Sequence, residues 1–117
     1  MKSIELRVTK ESLPSKNGMQ DTFLTTYDLL KSAINSPSQQ GFSVDEMMKR
    51  LRLLEHIDKH KDLFDIKPED FNDSMLERTA TLELEDSDFS KLKELFKEMK
   101  WGVVSKFIVE ISKELDK

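Results

Sequence analysis

The sequence predicts an α+β fold that is mainly helical, with four to five helices and a small two-stranded β-sheet. Two short segments alternate apolar and polar residues, which is typical of half-buried strands. Several longer segments repeat apolar residues every three to four positions, which is typical of amphipathic helices. Only three Gly and three Pro occur in 117 residues, so a many-stranded fold is disfavoured. The length fits a single domain, residues 1–117.

The first predicted strand contains Ile4, Leu6 and Val8, which alternate with polar residues. Residues 13–20 include one Pro and one Gly and are predicted to form a loop. A first helix is then predicted, with Asp21 or Thr22 as its N-cap and an end before Pro37, because the residue preceding a proline disfavours helix. Its apolar face comprises Phe23, Tyr27, Leu30 and Ile34.

The clearest helix start in the chain is at Ser43. Ser43 and Glu46 have the spacing of a capping box, and Phe42 and Met47 have that of a hydrophobic staple. These residues predict a second helix. Its core-facing side is predicted to consist of Val44, Met47, Met48, Leu51, Leu54 and Ile57.

The segment from Lys59 to Thr79 is predicted to be a charged insert with mobile parts and one short helix beginning at Pro68. A second strand follows at residues 80–84 and is predicted to pair with the first. Asp86 and Ser87 are predicted to cap the next helix. We expect that helix to end at a left-handed Gly102, and the last helix to begin at Ser105.

Recognisable catalytic chemistry is absent from the sequence. The chain has no Cys, which excludes disulfides, thiolate nucleophiles and cysteine metal sites. It also has no glycine-rich phosphate loop and no serine elbow. We therefore expect a protein without enzymatic activity, catalytic residues, cofactor or small-molecule substrate.

Two groups of residues have the side chains that metal or acid–base sites use. His56 and His60 lie four residues apart on one side of a helix, but no third ligand and no adjacent catalytic glutamate accompany them. The acidic residues near Asp86 and Asp88 lack the spacing of a calcium loop and suit a helix N-terminus. The sequence therefore predicts no metal site.

The candidate interaction residues are Lys49, Arg50, Arg52 and Trp101. The three basic residues follow a two-helix pattern that suggests a helix-turn-helix, although the connector is longer than that motif allows. The net charge of -4 argues against a dedicated nucleic-acid binder, which more often has a basic face. Trp101 is interpreted as a core residue, with an anchor for another chain as the alternative.

Targeting and membrane signals are also missing. The first residues lack the apolar run of a signal peptide. No stretch approaches the ~20 apolar residues needed to span a bilayer. We expect a soluble, cytoplasmic protein that makes no membrane contact.

Two segments carry a resemblance to a known group of proteins. The first runs from Thr-Tyr-Asp-Leu-Leu at 26–30 through Gly-Phe-Ser-Val-Asp-Glu-Met at 41–47 to residues 49–54. The second runs from Leu-Glu-Leu-Glu-Asp at 82–86 to Met-Lys-Trp at 99–101. Together they resemble small, mostly uncharacterised proteins of tailed bacteriophages and prophages. The resemblance implies a phage context and a place in particle assembly, and it transfers no catalytic residue.

The leading functional hypothesis is a non-enzymatic protein–protein interaction protein, an assembly or virion component that binds a protein partner or self-associates. It would be found in the host cytoplasm or in the virion. The alternative is a small regulator or host-defence inhibitor that binds nucleic acid or a host enzyme. Oligomeric state distinguishes the two, because the alternative calls for a monomer.

Overall fold

A three-stranded antiparallel sheet and five helices form the protein in the computed structural model, which describes residues 1–117. The strand order is β2-β1-β3. The class is α+β, but the prediction of a two-stranded sheet is wrong. The strands are β1 (Lys2–Ser15), β2 (Gly18–Thr25) and β3 (Thr79–Leu84).

The missed strand is β2, which forms a hairpin with β1. β1 continues to Ser15, and the chain returns through Gly18, whose φ of +100° is a conformation that glycine adopts without a Cβ clash. The ladder runs from Ser15↔Gly18 to Val8↔Thr25. Residues 18–21 of β2 are exposed, so no alternation of apolar and polar residues marks the strand. The loop predicted at 13–20 and the helix predicted from Asp21 or Thr22 are therefore wrong.

The predicted pairing of the first strand with the strand near residue 80 is confirmed. β1 and β3 are antiparallel, in register from Lys2↔Leu84 to Arg7↔Thr79. Ile4 and Leu6 of β1 and Leu82 and Leu84 of β3 are all buried. The apolar half of each alternation therefore forms the face of the sheet that the helices cover.

Side-chain oxygens fix the starts of three helices. Thr25 caps α1 by accepting from the Asp28 N–H at 2.9 Å, four residues after Asp21 and three after Thr22, the two predicted caps. Ser43 and Ser105 cap α2 and α5 as predicted. The helices are α1 (Thr26–Ile34), α2 (Val44–Asp58), α3 (Lys61–Phe64), α4 (Asp86–Glu98) and α5 (Lys106–Leu115).

Both predicted ends of α4 differ from the structure. Glu85 is the N-cap residue and makes no side-chain cap bond, so Asp86 and Ser87 lie inside the first turn. At the other end the chain becomes extended at Met99. Gly102 does not have a positive φ, so it is not a left-handed cap.

The start of α5 is bound to the sheet by Glu11 of β1. The Glu11 carboxylate accepts hydrogen bonds from the Ser105 hydroxyl at 2.8 Å and from the N–H groups of Lys106 and Phe107 at 2.9 and 3.2 Å. Burial acts to raise the pKa of Glu11, but these three donors outweigh it and hold the pKa below its ordinary value. This contact joins residues more than 90 positions apart and attaches α5 to β1.

The insert of residues 59–79 lies against α1 and β2. It contains α3 and two 3-10 turns, Pro68–Asp70 and Asp73–Glu77, and the first of these begins at Pro68 as predicted. Phe64 is fully buried and stacks on Tyr27 of α1 at 6.4 Å between ring centroids. Phe71 stacks on Phe23 of β2 at 5.2 Å. These aromatic pairs attach a charged segment to the core.

A single core of 21 buried residues extends from Ile4 to Leu115. α2 contributes only two of them, Leu53 and Ile57. Most of the side predicted to face the core is therefore exposed, and of the predicted residues only Ile57 is fully buried. The opposite edge of the helix, which contains Leu53, packs inward.

The orientation of α2 predicts unequal effects for two neighbouring leucines. Leu53→Ala should lower the free energy of unfolding by about 2–4 kcal/mol, because it leaves a cavity in the core. Leu51→Ala should change it by less than about 0.5 kcal/mol, because Leu51 is exposed. Urea unfolding of both variants, followed by circular dichroism, measures the difference. Equal losses, or a larger loss for Leu51→Ala, would contradict this orientation.

Candidate interaction surface

The outer side of α2 is an apolar surface that no other part of the chain covers. The exposed fractions are 71% for Val44, 61% for Met48, 59% for Leu51 and 45% for Met47. The half-buried Leu54 continues the row toward the end of the helix. We call these five residues the α2 surface.

A shallow groove of about 260 Å³ lies beside the α2 surface. Its walls come from α2, from the end of α1 and from Phe42 in the connector, and five of its seven lining residues are apolar. Phe42 also stacks against the Arg50 guanidinium at 4.4 Å. The groove and the row of exposed side chains form one continuous apolar face.

Arg50 binds the inner side of α2 to the end of α1. Its Nη1 donates to the carbonyl oxygens of Ile34 at 2.7 Å and Ser36 at 3.3 Å. Its Nε donates to Glu46 at 3.1 Å. The last carbonyls of a helix have no partner within that helix, so a cation placed there satisfies them and complements the helix dipole.

Two ion pairs bind α2 to α4. The Glu46 carboxylate accepts from Lys91 at 2.6 Å. Nε and Nη2 of Arg52 donate to the Asp88 carboxylate at 2.9 and 2.8 Å. Asp88 is buried, and a buried carboxylate needs a hydrogen-bonded cation. These pairs determine which side of α2 faces the rest of the protein.

A fourth polar contact lies at the C-terminal end of α2. The Tyr27 hydroxyl donates to Asp58 at 2.8 Å, and Lys31 lies 3.2 Å from the same carboxylate. The pKa of Asp58 is lowered, first by the Tyr27 hydrogen bond and then by Lys31. Burial and the Asp58 bond raise the pKa of Tyr27. The middle of α2, at Arg50, and its C-terminal end are therefore attached to α1.

The predicted basic cluster does not form one binding patch. Arg50 is largely buried in its contacts with α1, and Arg52 is bound to Asp88. Lys49 is about as exposed as Arg52, and it pairs with Asp45 at 3.2 Å across one turn of the exposed helix surface. The capping box is half formed: Ser43 accepts from the Glu46 N–H at 3.1 Å, but the Glu46 carboxylate binds Lys91 and Arg50.

Trp101 is partly buried at the edge of the core. Its ring lies 5.0 Å from that of Phe96, centroid to centroid, with the planes tilted by 50°. It lines a second groove of about 300 Å³ with residues of α5, including Ile108 and Val109. The contact with Phe96 fits the interpretation of Trp101 as a core residue. The part of the ring that lines the groove fits the alternative, an anchor for another chain.

The remaining polar groups do not assemble a metal site. His56 and His60 are part of no group of three or more His, Asp or Glu placed to hold a metal ion. Of the acidic residues around Asp86, Asp88 turns inward to Arg52. Asp86 lies 3.4 Å from the N-terminal amine.

Sequence reasoning missed the α2 surface because the helix has two possible inner sides. Met47, Met48 and Leu51 outnumber Leu53 and Ile57 as apolar residues, so the hydrophobic pattern favours the wrong side. The signal for the true inner side was a pair of opposite charges, Glu46 and Arg50, in line with two apolar residues. Glu46, Arg50, Leu53 and Ile57 recur at intervals of three or four residues and form the opposite side of the helix.

No helix is both long and apolar enough to cross a membrane. No family model, curated protein or solved structure matches the chain.

The contacts of Glu46 predict a pH-dependent contribution to stability. Lys91, and after it Arg50, hold the pKa of Glu46 below its ordinary value. A lowered pKa in the folded state stabilises the protein above the unfolded-state pKa of ~4.3, and this contribution disappears as the pH falls through the folded-state value. Glu46→Gln should therefore cost about 1 kcal/mol at pH 7, and the difference from wild type should shrink below about pH 4.

Urea unfolding between pH 7 and pH 3 measures this difference. Glu94→Gln is the matched control, because Glu94 is exposed and lies 4.0 Å from the same Lys91. We expect the control to follow wild type within about 0.5 kcal/mol. A Glu46→Gln effect that stays constant over this pH range would show that the ion pairs do not hold α2.

Proposed function

We propose that this chain is a non-enzymatic interaction protein that binds another protein through the α2 surface. The observation that carries the proposal is a row of large apolar side chains, 45–71% exposed on one side of a well-capped helix. Contiguous exposed apolar surface rimmed by polar residues marks protein contact sites. Isolated exposed leucines are ordinary, but here four large apolar residues cluster within two turns.

The chemistry of the α2 surface suits a protein partner. Met47 and Met48 have unbranched, polarisable side chains that adapt to the shape of a partner. The groove beside Phe42 offers a pocket for an inserted apolar side chain, and filled pockets of this kind provide much of the energy at interfaces. Charged groups at the rim select a partner more than they strengthen its binding.

A nucleic-acid-binding regulator has less support from the same residues. Direct readout and phosphate contact need free Arg and Lys side chains. Arg50 and Arg52 are occupied by contacts within the chain. An inhibitor of a host enzyme would use the same apolar surface and is a special case of the proposed function.

The biological setting of the proposal comes from the resemblance to phage proteins. Under this proposal the chain is an assembly or virion component, and it acts in the cytoplasm of the host cell or in the particle. A helix such as α2, which is held against the rest of the protein and exposes an apolar side, suits assembly. Its surface is rigid and therefore loses little conformational entropy when a partner covers it.

The proposal is tested by thiol labelling in extracts of cells that naturally produce the protein. The chain has no Cys, so Leu51→Cys and Val104→Cys each introduce a single thiol. Leu51 lies in the α2 surface, and Val104 is 94% exposed and lies outside it. We expect the Leu51→Cys thiol to be labelled at least about tenfold more slowly in extract than in dilute buffer, because a partner covers it. The Val104→Cys thiol should be labelled equally in both.

Two treatments of the extract identify what covers the thiol. Protection should survive nuclease and should be lost when macromolecules are removed by filtration. Equal labelling of the Leu51→Cys variant in extract and buffer would contradict the proposed function. Protection that nuclease abolishes would favour the nucleic-acid alternative.

A further inference from the structure

We propose that the partner of the α2 surface is a second copy of this chain, with the two α2 helices antiparallel across a two-fold axis. This inference rests on the proposed function and specifies its partner. It is based on the spacing of the exposed residues, on the charges at the two ends of α2 and on the area available.

The exposed residues have the spacing of a helix–helix seam. Val44, Met47, Leu51 and Leu54 are separated by three, four and three residues, which is the a–d–a–d pattern of paired helices. Met48 widens the seam on one side. A seam of this kind pairs with another seam of the same spacing, and α2 of a second copy supplies one.

An antiparallel arrangement brings all four seam residues into register at once. When Met47 of one copy lies opposite Leu51 of the other, Val44 lies opposite Leu54 by the same symmetry. The two outer pairs and the two inner pairs form four layers over about three turns of each helix. A two-fold interface of this kind closes on itself and leaves no seam residue exposed.

The charges of α2 favour the antiparallel arrangement over the parallel one. Asp58 follows Leu51 by seven residues and so continues the seam at its C-terminal end, and its side chain is 42% exposed. In a parallel pair the two Asp58 carboxylates would face each other. In the antiparallel pair each Asp58 lies beside the polar connector before the partner's α2, and Glu55 lies beside the N-terminus of that helix, where negative charge is favourable.

The available area suits a weak, reversible dimer. The α2 surface and Phe42 expose on the order of 400–500 Å² of apolar area, within the range of about 300–600 Å² for the largest patch of a typical monomer, which is often a functional one. Covering the surface in two copies removes on the order of 1,000 Å², close to the lower limit for a specific interface. The proposal therefore commits to dissociation in the micromolar range rather than to a permanent dimer.

Sedimentation equilibrium between about 1 and 200 µM tests the dimer. Wild type should pass from monomer to dimer over this range. Leu51→Asp and Met48→Glu should each weaken association at least about 30-fold, and Val104→Asp should associate like wild type. Circular dichroism of each variant confirms folding, which exposed substitutions should not impair. A wild type that stays monomeric, or a dimer insensitive to both α2 variants, would overturn the inference.

Disulfide trapping tests the antiparallel register. Chains carrying Met47→Cys and chains carrying Leu51→Cys, distinguished by a tag, are mixed and oxidised. The antiparallel pair should yield mainly mixed 47–51 disulfides, because equal positions are displaced by about 6 Å along the helix axis. Predominant 47–47 and 51–51 disulfides would indicate a parallel pair and contradict the proposal.

Failure of this inference is distinguishable from failure of the proposed function. If wild type is monomeric but the Leu51→Cys thiol is protected in cell extract, the partner is a different protein and the proposed function stands. If wild type is monomeric and that thiol is unprotected, both fail. Binding of wild type, but not of Leu51→Asp, to phosphatidylglycerol-containing vesicles would also contradict both, since the α2 surface would then serve a lipid.

Discussion

The orientation of α2 depends on charged contacts, and the rest of the surface follows from them. Arg50 binds the unpaired carbonyls at the end of α1, while Glu46 and Arg52 bind Lys91 and Asp88 of α4. Rotating the helix to bury Met48 and Leu51 would strand the buried Asp88 carboxylate and leave those carbonyls unsatisfied. Each such loss costs about 1–3 kcal/mol or more, comparable to the gain from burying one large apolar side chain. The rotation would also expose Leu53 and Ile57, which are fully buried. The inner side therefore retains the charged contacts, and the apolar side remains open to solvent.

Much of the fold was predictable because local patterns and tertiary packing agree there. β1 and β3 alternate cleanly, and Ser43 and Ser105 cap their helices by local hydrogen bonds. β2 was missed because half of it is exposed, so its residues carry no periodic signal and its existence depends on pairing with β1. The contact of Glu11 with the start of α5 also could not be predicted from the sequence, because no local rule relates two residues more than 90 positions apart.

The candidate surface could not be predicted for a related physical reason. Hydrophobic periodicity identifies an amphipathic side of a helix but does not say whether the protein itself or a partner covers it. In α2 the more apolar side is the one exposed to solvent. The rule that the more apolar side of a helix faces the core therefore predicts the wrong orientation. The sequence singles out Arg50 and Arg52, but it predicts that they contact a partner. Their observed contacts are within the chain, where they fix the helix that carries the surface.

The central claim is that the Met48–Leu51 side of α2 faces solvent while the Leu53–Ile57 side is buried. Methyl NMR with a soluble gadolinium chelate tests it most directly, at a dilution where sedimentation shows only monomer. We predict strong relaxation enhancement of the Met48 and Leu51 methyl groups and little enhancement of those of Leu53 and Ile57. Strong enhancement at Leu53 and Ile57, with Met48 and Leu51 protected, would contradict the account.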